Sequence, residues 1–417
     1  MGKTIIEKIF SFHSEDEVKP GNIVWIKLDV RTARDFGGAN VVKNFQVNYP
    51  GETIDDPKKT FFTFDCVAPA NTIPYANNQQ VCRIFAREQG IKVYDVDAGI
   101  GSHVAIEKGL VLPGYTFVGT DSHLNILGCI GAFGQGMGDQ DIAFAFKTGK
   151  TWFEVPYTIK VTIKGSYSFP ATAKDLTLAV VKYFGAKGAL GKAIEYYGKC
   201  IDNLKLYERI TLASMTTEIG GIISFITPDE EVLQFLKFRS GNRMIKTITA
   251  DADANYVDEI EIDVSNLKPQ ISAPPKPENV FDVEDLKDVK IDSVFVGSCT
   301  NGRFEDFRVV ADILKGRKVH KNVMMKITPA TKEVYGQMLK EGILEILYDS
   351  GVIISHPGCG GCASGQLGMT GKGEVQVSTS NRNFKGKQGD GDTYIASPAT
   401  AAASALLGRI ASPEEVI

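Results

Sequence analysis

DVKIDSVFVGSCTNGRFEDFRVVADILKG, residues 288–316, decides the reading of the fold. Its first half is a short apolar run that stops in a tight turn at Gly297 and Ser298. Its second half, from Arg303, is helical. A strand that hands over to a helix through a glycine turn is half of a βαβ unit. The text downstream continues the alternation. NVMMKIT (322–328) is a strand, and KEVYGQMLKEGILEILYDSG (332–351) is a helix with a glycine stop. VIIS (352–355) and EVQVSTS (374–380) are strands, and SPATAAASALLG (397–408) is a helix with proline near its start. Glycine-rich loops fall where strands end, at the usual ligand rim of a parallel sheet.

Working outward, residues 1–160 show the same pattern. NIVWIKLDV (22–30), KTFFTFD (59–65) and TFVGTD (116–121) read as strands, and Asn77 to Gly90 as helical. A second unit, 161–265, opens with the strand text YTIKVTIKGSYSFP. AKDLTLAVVKYFGA and GKAIEYYG are expected to be helical. ERITLASMTTEIGGIISFITPDEEVLQFLKFR (208–239) is expected to form two helices around a glycine-rich turn. Residues 266–287, rich in proline and polar groups, are expected to be a linker. Residues 288–417 form the third unit. The fold class is therefore α/β, in packed units with mostly parallel sheets.

The chain has 417 residues, too many for one ordinary core. With 43% hydrophobic and 23% charged residues, it is globular rather than disordered. Net charge is −4 without a basic stripe, which argues against nucleic acid as a partner. The opening MGKTIIEKIFSFHSEDEVKP carries charges throughout and does not read as a signal peptide. No apolar run approaches the roughly 20 residues that span a bilayer. The expected compartment is the cytoplasm, without a membrane partner. Seven cysteines, an odd number, do not suggest a disulfide framework there.

Three of those cysteines carry the chemistry. Cys299 lies in GSCTNGR, just after a strand. Cys359 and Cys362 lie in HPGCGGCASG, a glycine-rich loop after another. Glycines there let the backbone approach closely and aim amide N–H groups at sulfur. Three thiolates without a clear fourth allow two metal readings. One is an incomplete zinc site. The other is a cubane iron–sulfur cluster with one iron left open, able to act as a Lewis acid. The plain alternative is that these cysteines are small apolar core residues.

GSCTNGRFEDFR, HPGCGGCASGQLG, STSNRNFKGK and ASPATAAASAL closely resemble, in order and spacing, signature segments of the aconitase superfamily. The likeness is to large subunits of the isopropylmalate-isomerase and homoaconitase type. VGTDSH, GAFGQGMGDQD, LASMTTEIGGIISFITPDE and the opening KTIIEKIF add to it, so the resemblance spans nearly the whole chain. It implies three packed units of the aconitase domain 1–3 type with a cluster at their interface. It implies a [4Fe–4S] cluster on Cys299, Cys359 and Cys362, with one iron not ligated by protein. It places Asp121, Ser122 and His123 in the active-site wall, Glu218 near the substrate, and Arg382 on a substrate carboxylate. The plain readings of Arg382 and His123 are a surface ion pair and a hydrogen-bonded core histidine.

The implied activity is dehydration and rehydration of a small hydroxy acid, isopropylmalate- or homocitrate-like. A separate small subunit, the family's swivelling domain, is implied as the source of the serine base. Departures from the family pattern bear on substrate. Asp65-Cys66 stands where the family has Asp-His. Ser102 aligns with a family histidine, with His103 one place later, on a strand or a loop. Lys387 stands where a second arginine is usual, giving a point charge instead of a fork. Leu28 replaces a polar residue with Arg31 close by, and Ser214 replaces an asparagine. The candidate catalytic set is thus Asp65, Cys66, His103, Asp121, His123 and Glu218. Ser122, Arg382, Lys387 and Arg31 are the candidate substrate contacts. A dimethylmalate- or citramalate-like substrate, a non-catalytic cluster-based sensor and a zinc hydrolase are the competing readings.

Overall fold

The strand in the opening stretch lies at Ser293–Gly297, with every residue buried, inside a seven-stranded sheet. The computed structural model describes residues 2–241, 243–362 and 367–417. Ser293–Gly297 runs parallel to Met324–Thr328 on one side and Val375–Ser378 on the other. Ile353–Ile354 and Asp392–Ala396 extend the parallel set outward. The helix Phe304–Leu314 buries Phe304, Phe307, Val310, Ala311 and Leu314 along one stripe, the 3.6-residue spacing of a core-facing helix. It packs beside the alanine-rich helix Pro398–Leu407, whose small side chains allow close approach.

The first unit holds a five-stranded, wholly parallel sheet in the order Lys92–Tyr94, Thr60–Thr63, Val30–Arg34, Thr116–Gly119, Phe133–Gly136. The text 22–30 is not one strand. Ile23–Lys27 pairs antiparallel with Lys150–Glu154, and the chain then re-enters as Val30–Arg34. The second unit carries a four-stranded parallel sheet.

Four further expectations change. GKAIEYYG is not helical: Ala193–Tyr197 is a central strand of the second sheet. Six residues between Gly191 and Gly198 are too few for a stable helix, and the strand is buried almost throughout. In 208–239 a strand, Ile223–Phe225, separates the helices Leu206–Ser214 and Glu230–Arg239. Residues 266–287 are not a free linker. Gln270–Ser272 joins the seven-stranded sheet antiparallel to Asp392–Ala396, and Val280–Asp282 pairs with it. Proline-rich composition hid the edge strand Val280–Asp282 and its short neighbour Gln270–Ser272, near a sheet edge where proline is tolerated. The long helix at 332–351 breaks at Gly342, whose φ of 72° suits glycine.

Two buried carboxyls brace the fold, Asp175 across units and Asp306 at the start of its own helix. Asp175 accepts from the Gln270 amide at 2.7 Å, and burial pushes its pKa up to about 6. Asp306 accepts from Asn301 Nδ2 at 3.0 Å and from the Arg303 amide at 2.9 Å, and burial pushes it up to about 7. A raised carboxyl keeps its proton in the folded chain at pH values where the unfolded chain has lost it. Stability from such a group therefore falls as pH rises from about 4 to about 7. Asp306→Asn removes this titration. Urea-unfolding midpoints of D306N are expected to fall less than wild type over that window, and parallel profiles would count against the assignment.

Candidate active site

The parallel sheets of the first and third units bring their C-terminal strand ends together. Backbone contacts join them: Ile100 N donates to Ala330 O at 2.8 Å, and Cys359 N donates to Asp65 O at 2.8 Å. Between them lies a cavity of about 320 Å³. Cys66, Asp121, Ser122, His123, Cys299, Cys359, Cys362, Arg382 and Lys387 all line it, together with Arg34, Ser298 and the apolar Phe36, Val67 and Ile100.

Each group is presented by a strand end. The loop after Thr60–Thr63 is ordered by Asp35, whose carboxylate accepts from the amides of Asp65, Cys66 and Val67 at 3.2, 3.0 and 3.1 Å. Asp121, Ser122 and His123 follow Thr116–Gly119, and His123 N donates to Asp121 Oδ1 at 3.0 Å. Cys299 follows Ser293–Gly297. Ser298 there has φ 78°, a left-handed conformation costly for a non-glycine residue. Asn381 Nδ2 lies 3.7 Å from Cys299 Sγ, and Thr300 Oγ1 donates to the same amide's oxygen. Lys174, wholly buried, donates to the carbonyls of Thr379 and Ser380 at 2.9 Å each and so fixes the turn that leads into Asn381 and Arg382. Residues 363–366, the end of the second cysteine motif, lie outside the described residues.

Two charge networks organise the walls. In the first, Arg34 Nε donates to Asp65 Oδ1 at 2.7 Å and Nη1 pairs with Asp121 Oδ1 at 2.9 Å. Its Nη2 points at Cys359 Sγ. Burial opposes ionisation of Asp65, Arg34 favours it, and the carboxylates of Asp35 and Asp121 oppose it; the pKa settles at about 6. Burial would also raise Asp121, yet Arg34 and His123 outweigh it and hold it below the ordinary carboxylate value. In the second network, Glu218 Oε1 accepts from His123 Nε2 at 2.9 Å and from Arg382 Nε at 2.8 Å. Burial would raise Glu218, but His123 and then Arg382 win and lower it. Ser122 Oγ lies 3.3 Å from His123 Nδ1. His123 is thus part of a polar chain at the cavity, and Arg382 is not a surface pair.

Two expected residues fall elsewhere. Arg31 is buried at the start of Val30–Arg34, donating to Asp55 Oδ2 at 2.6 Å and to Leu28 O at 3.3 Å. It sits three residues, about 10 Å, upstream of the strand end and on the opposite face from Arg34. Taking 22–30 as the strand ended it too early, so Arg34 and Asp35, at the true end, were missed. His103 lies on neither a strand nor a loop. It is in the helix Gly101–Glu107, fully buried, with Nε2 2.9 Å from the carbonyl of Cys299. Burial and the nearby Arg303 push its pKa down to about 3. A neutral ring there donates to that carbonyl and positions Cys299 from behind the cavity. Ser102 is buried in the same helix, and Ser214 Oγ caps Thr211 O at 3.1 Å.

The donor set bears on the single-zinc reading. A single zinc with Zn–S bonds of about 2.3 Å draws its thiolates to about 3.8 Å of one another. Among the described residues, the set with ligand atoms all within 4.8 Å of each other is Asp65, Cys66 and Cys359. Cys299, Cys359 and Cys362 share the cavity without meeting that limit. Three thiols not gathered within that limit are not set for one zinc ion.

The sequence model of the Aconitase family (aconitate hydratase) matches residues 7–288 and 281–408. The chain belongs to the aconitase family. Its family activity is that of a hydro-lyase, and membership implies a [4Fe–4S] cluster. The chain is 42% identical over 416 residues to the 3-isopropylmalate dehydratase large subunit 1 of Methanopyrus kandleri, covering 99% of each. The protein of the same name from Pyrococcus furiosus is 42% identical over 423 residues, covering 100% of this chain and 99% of that one. The one from Archaeoglobus fulgidus is 38% identical over the full length of both. Among solved structures, aconitase X of Thermococcus kodakaraensis in its holo-form aligns with TM-score 0.51 and 13% identity, over 90% of this chain and 87% of that one. That last likeness speaks for the fold. No helix among the described residues is long and apolar enough to cross a membrane.

Proposed function

We propose that this chain is the large subunit of a dehydratase that removes and restores water on a small branched hydroxy dicarboxylic acid of the isopropylmalate kind. The observation that carries the reading is convergence. Three cysteines, the cations Arg382 and Lys387, and His123 meet in one cavity, with Glu218 of the second unit holding His123 and Arg382 from behind. Cys299, Cys359 and Cys362 are the residues that would hold the cluster, one iron remaining without a protein ligand. The cluster, when bound, supplies a Lewis acid for the leaving hydroxyl.

The chain's own groups bind and orient the substrate. Arg382 has its Nε committed to Glu218, which leaves the guanidinium edge to grip a substrate carboxylate. Lys387 offers a second positive charge to the other carboxylate. Phe36, Val67 and Ile100 give an apolar wall suited to an alkyl branch. His123, oriented by Glu218 and Ser122, is placed to hold or release a proton near the departing hydroxyl. No base for the α-proton is evident among these residues. A small subunit carrying a serine base, the partner implied by relatives named large subunits, completes the site. Cys66 and Lys387 support a second reading, in which the same chemistry serves a differently branched acid such as dimethylmalate or citramalate.

The test is anaerobic cluster reconstitution of the chain with its candidate small subunit. Isopropylmalate, homocitrate, dimethylmalate, citramalate and their unsaturated partners are then compared by ultraviolet absorbance of the conjugated acid. Turnover of isopropylmalate by the pair, with little by the chain alone, is the expected outcome. Full turnover by the chain alone would refute the two-subunit reading. A cluster whose spectrum ignores every acid would favour a sensor.

A further inference from the structure

We propose that Cys66 and Cys359 form a reversible disulfide when the cluster is lost, which withdraws Cys359 from the ligand set. The inference rests on the proposed assignment of Cys359 to the cluster, and it goes beyond that assignment by giving Cys66 a partner. Three observations carry it. The sulfurs of Cys66 and Cys359 lie, with an Asp65 oxygen, within 4.8 Å of one another. The two loops are pinned together by the Cys359 N to Asp65 O hydrogen bond of 2.8 Å, directly beside Cys66. Both thiols line the cavity, so a small oxidant reaches them without unfolding.

The rest of the geometry favours this pair over others. Cys66 is held by its own amide on Asp35 Oδ1 at 3.0 Å. Cys359 is followed by Gly360, with φ 57°, and Gly361, both packed against neighbouring side chains, so the approach falls mainly to the two cysteine side chains. Closing to a bond of about 2 Å takes a side-chain rotation and a small loop shift. The remaining cysteines, Cys82, Cys129 and Cys200, belong to the hydrophobic cores and face no such partner among the described residues.

The oxidant is a peroxide. Hydrogen peroxide converts the Cys359 thiol to a sulfenic acid and leaves as water. The Cys66 sulfur then attacks the Cys359 sulfur, the S–O bond breaks, and a second water departs with the Cys66 proton. Thiol reductants reverse the bond by exchange. The pair thereby spares Cys359 from further, irreversible oxidation.

The full chain is stripped of iron with a chelator under argon, exposed to hydrogen peroxide, alkylated and digested without reduction. Trypsin leaves Cys66 with Cys82 on one peptide, 60–83, and Cys359 with Cys362 on another, 341–372. Fragmentation spectra and the C82S and C362S chains therefore assign the link. A Cys66–Cys359 bond is expected, lost in Cys66→Ser, whose Cys359 instead accumulates sulfinic acid. Circular dichroism of C66S checks that it folds. A link between Cys359 and Cys362 or Cys299, with Cys66 alkylated, would overturn the proposal. Cluster uptake by the oxidised wild-type chain is expected to drop at least fivefold and to return with dithiothreitol. A disulfide that leaves uptake unchanged would instead refute the place of Cys359 in the ligand set.

Discussion

Arg382→Lys in the reconstituted two-subunit enzyme is expected to lower kcat/KM by about a hundredfold, and Arg382→Ala by about a thousandfold or more. The reason lies in how Arg382 is held. Its Nε donates to Glu218 at 2.8 Å, so the planar group is locked in orientation before substrate arrives. A lysine keeps the charge but can serve either Glu218 or the substrate, not both in the same plane. Glu218 also receives His123, at 2.9 Å, so losing Arg382 loosens the histidine that handles the hydroxyl proton. Two effects should therefore be separable: KM rises through lost carboxylate binding, and kcat falls through a disordered His123. Steady-state kinetics of both variants, with cluster content matched by iron and sulfide analysis, give the measurement. A lysine variant within threefold of wild type would remove Arg382 from the substrate site.

What the sequence told in advance followed from how each signal is written. The cysteine loops were legible because glycine and cysteine at fixed spacing are both rare and chemically specific. The strand–turn–helix at 288–316 was legible because its periodicity changes within one stretch. Arg382 and Lys387 came with a motif and do line the cavity. The failures share a cause. Ala193–Tyr197 and Gln270–Ser272 are strands by virtue of partners far away in sequence, and short buried runs carry little local pattern. Arg34, Asp35 and Lys174 are ordinary charges in the text. Arg34 and Asp35 became part of the site because parallel strands end together there, and Lys174 because the helix Ala173–Phe184 aims it at the turn before Asn381. The one usable signal was position: Arg34 and Asp35 precede Gly37-Gly38 at the end of a strand, where ligand-facing residues of parallel sheets gather. His103 was misplaced because a seven-residue helix flanked by glycine does not announce itself.

Arg34 makes the strongest claim on stability. Its guanidinium is shared between Asp65 and Asp121, carboxylates that are essentially withdrawn from solvent. Arg34→Gln keeps some length and hydrogen bonding but removes the charge, leaving two acids facing one another without a cation. Breaking a buried pair by deleting one partner costs about 3–5 kcal/mol, and here one cation answers two anions. Part of that cost is avoidable by protonation. Asp65 already titrates at about 6 with Arg34 present, where burial raises it and Arg34 is the first counterweight. Without the counterweight its folded pKa climbs further, and a raised carboxyl loses stability as pH increases. R34Q should therefore be more impaired relative to wild type at pH 8 than at pH 5, read as urea-unfolding midpoints at the two values. Adding Asp65→Asn to R34Q should recover stability mainly at pH 8, because it replaces the ionised acid with a neutral group of the same shape. An equal deficit at both pH values would mean that Arg34 acts through packing rather than charge. In that case its contact with the Cys359 sulfur would be a consequence of shape, not a means of holding charge beside the cluster loop.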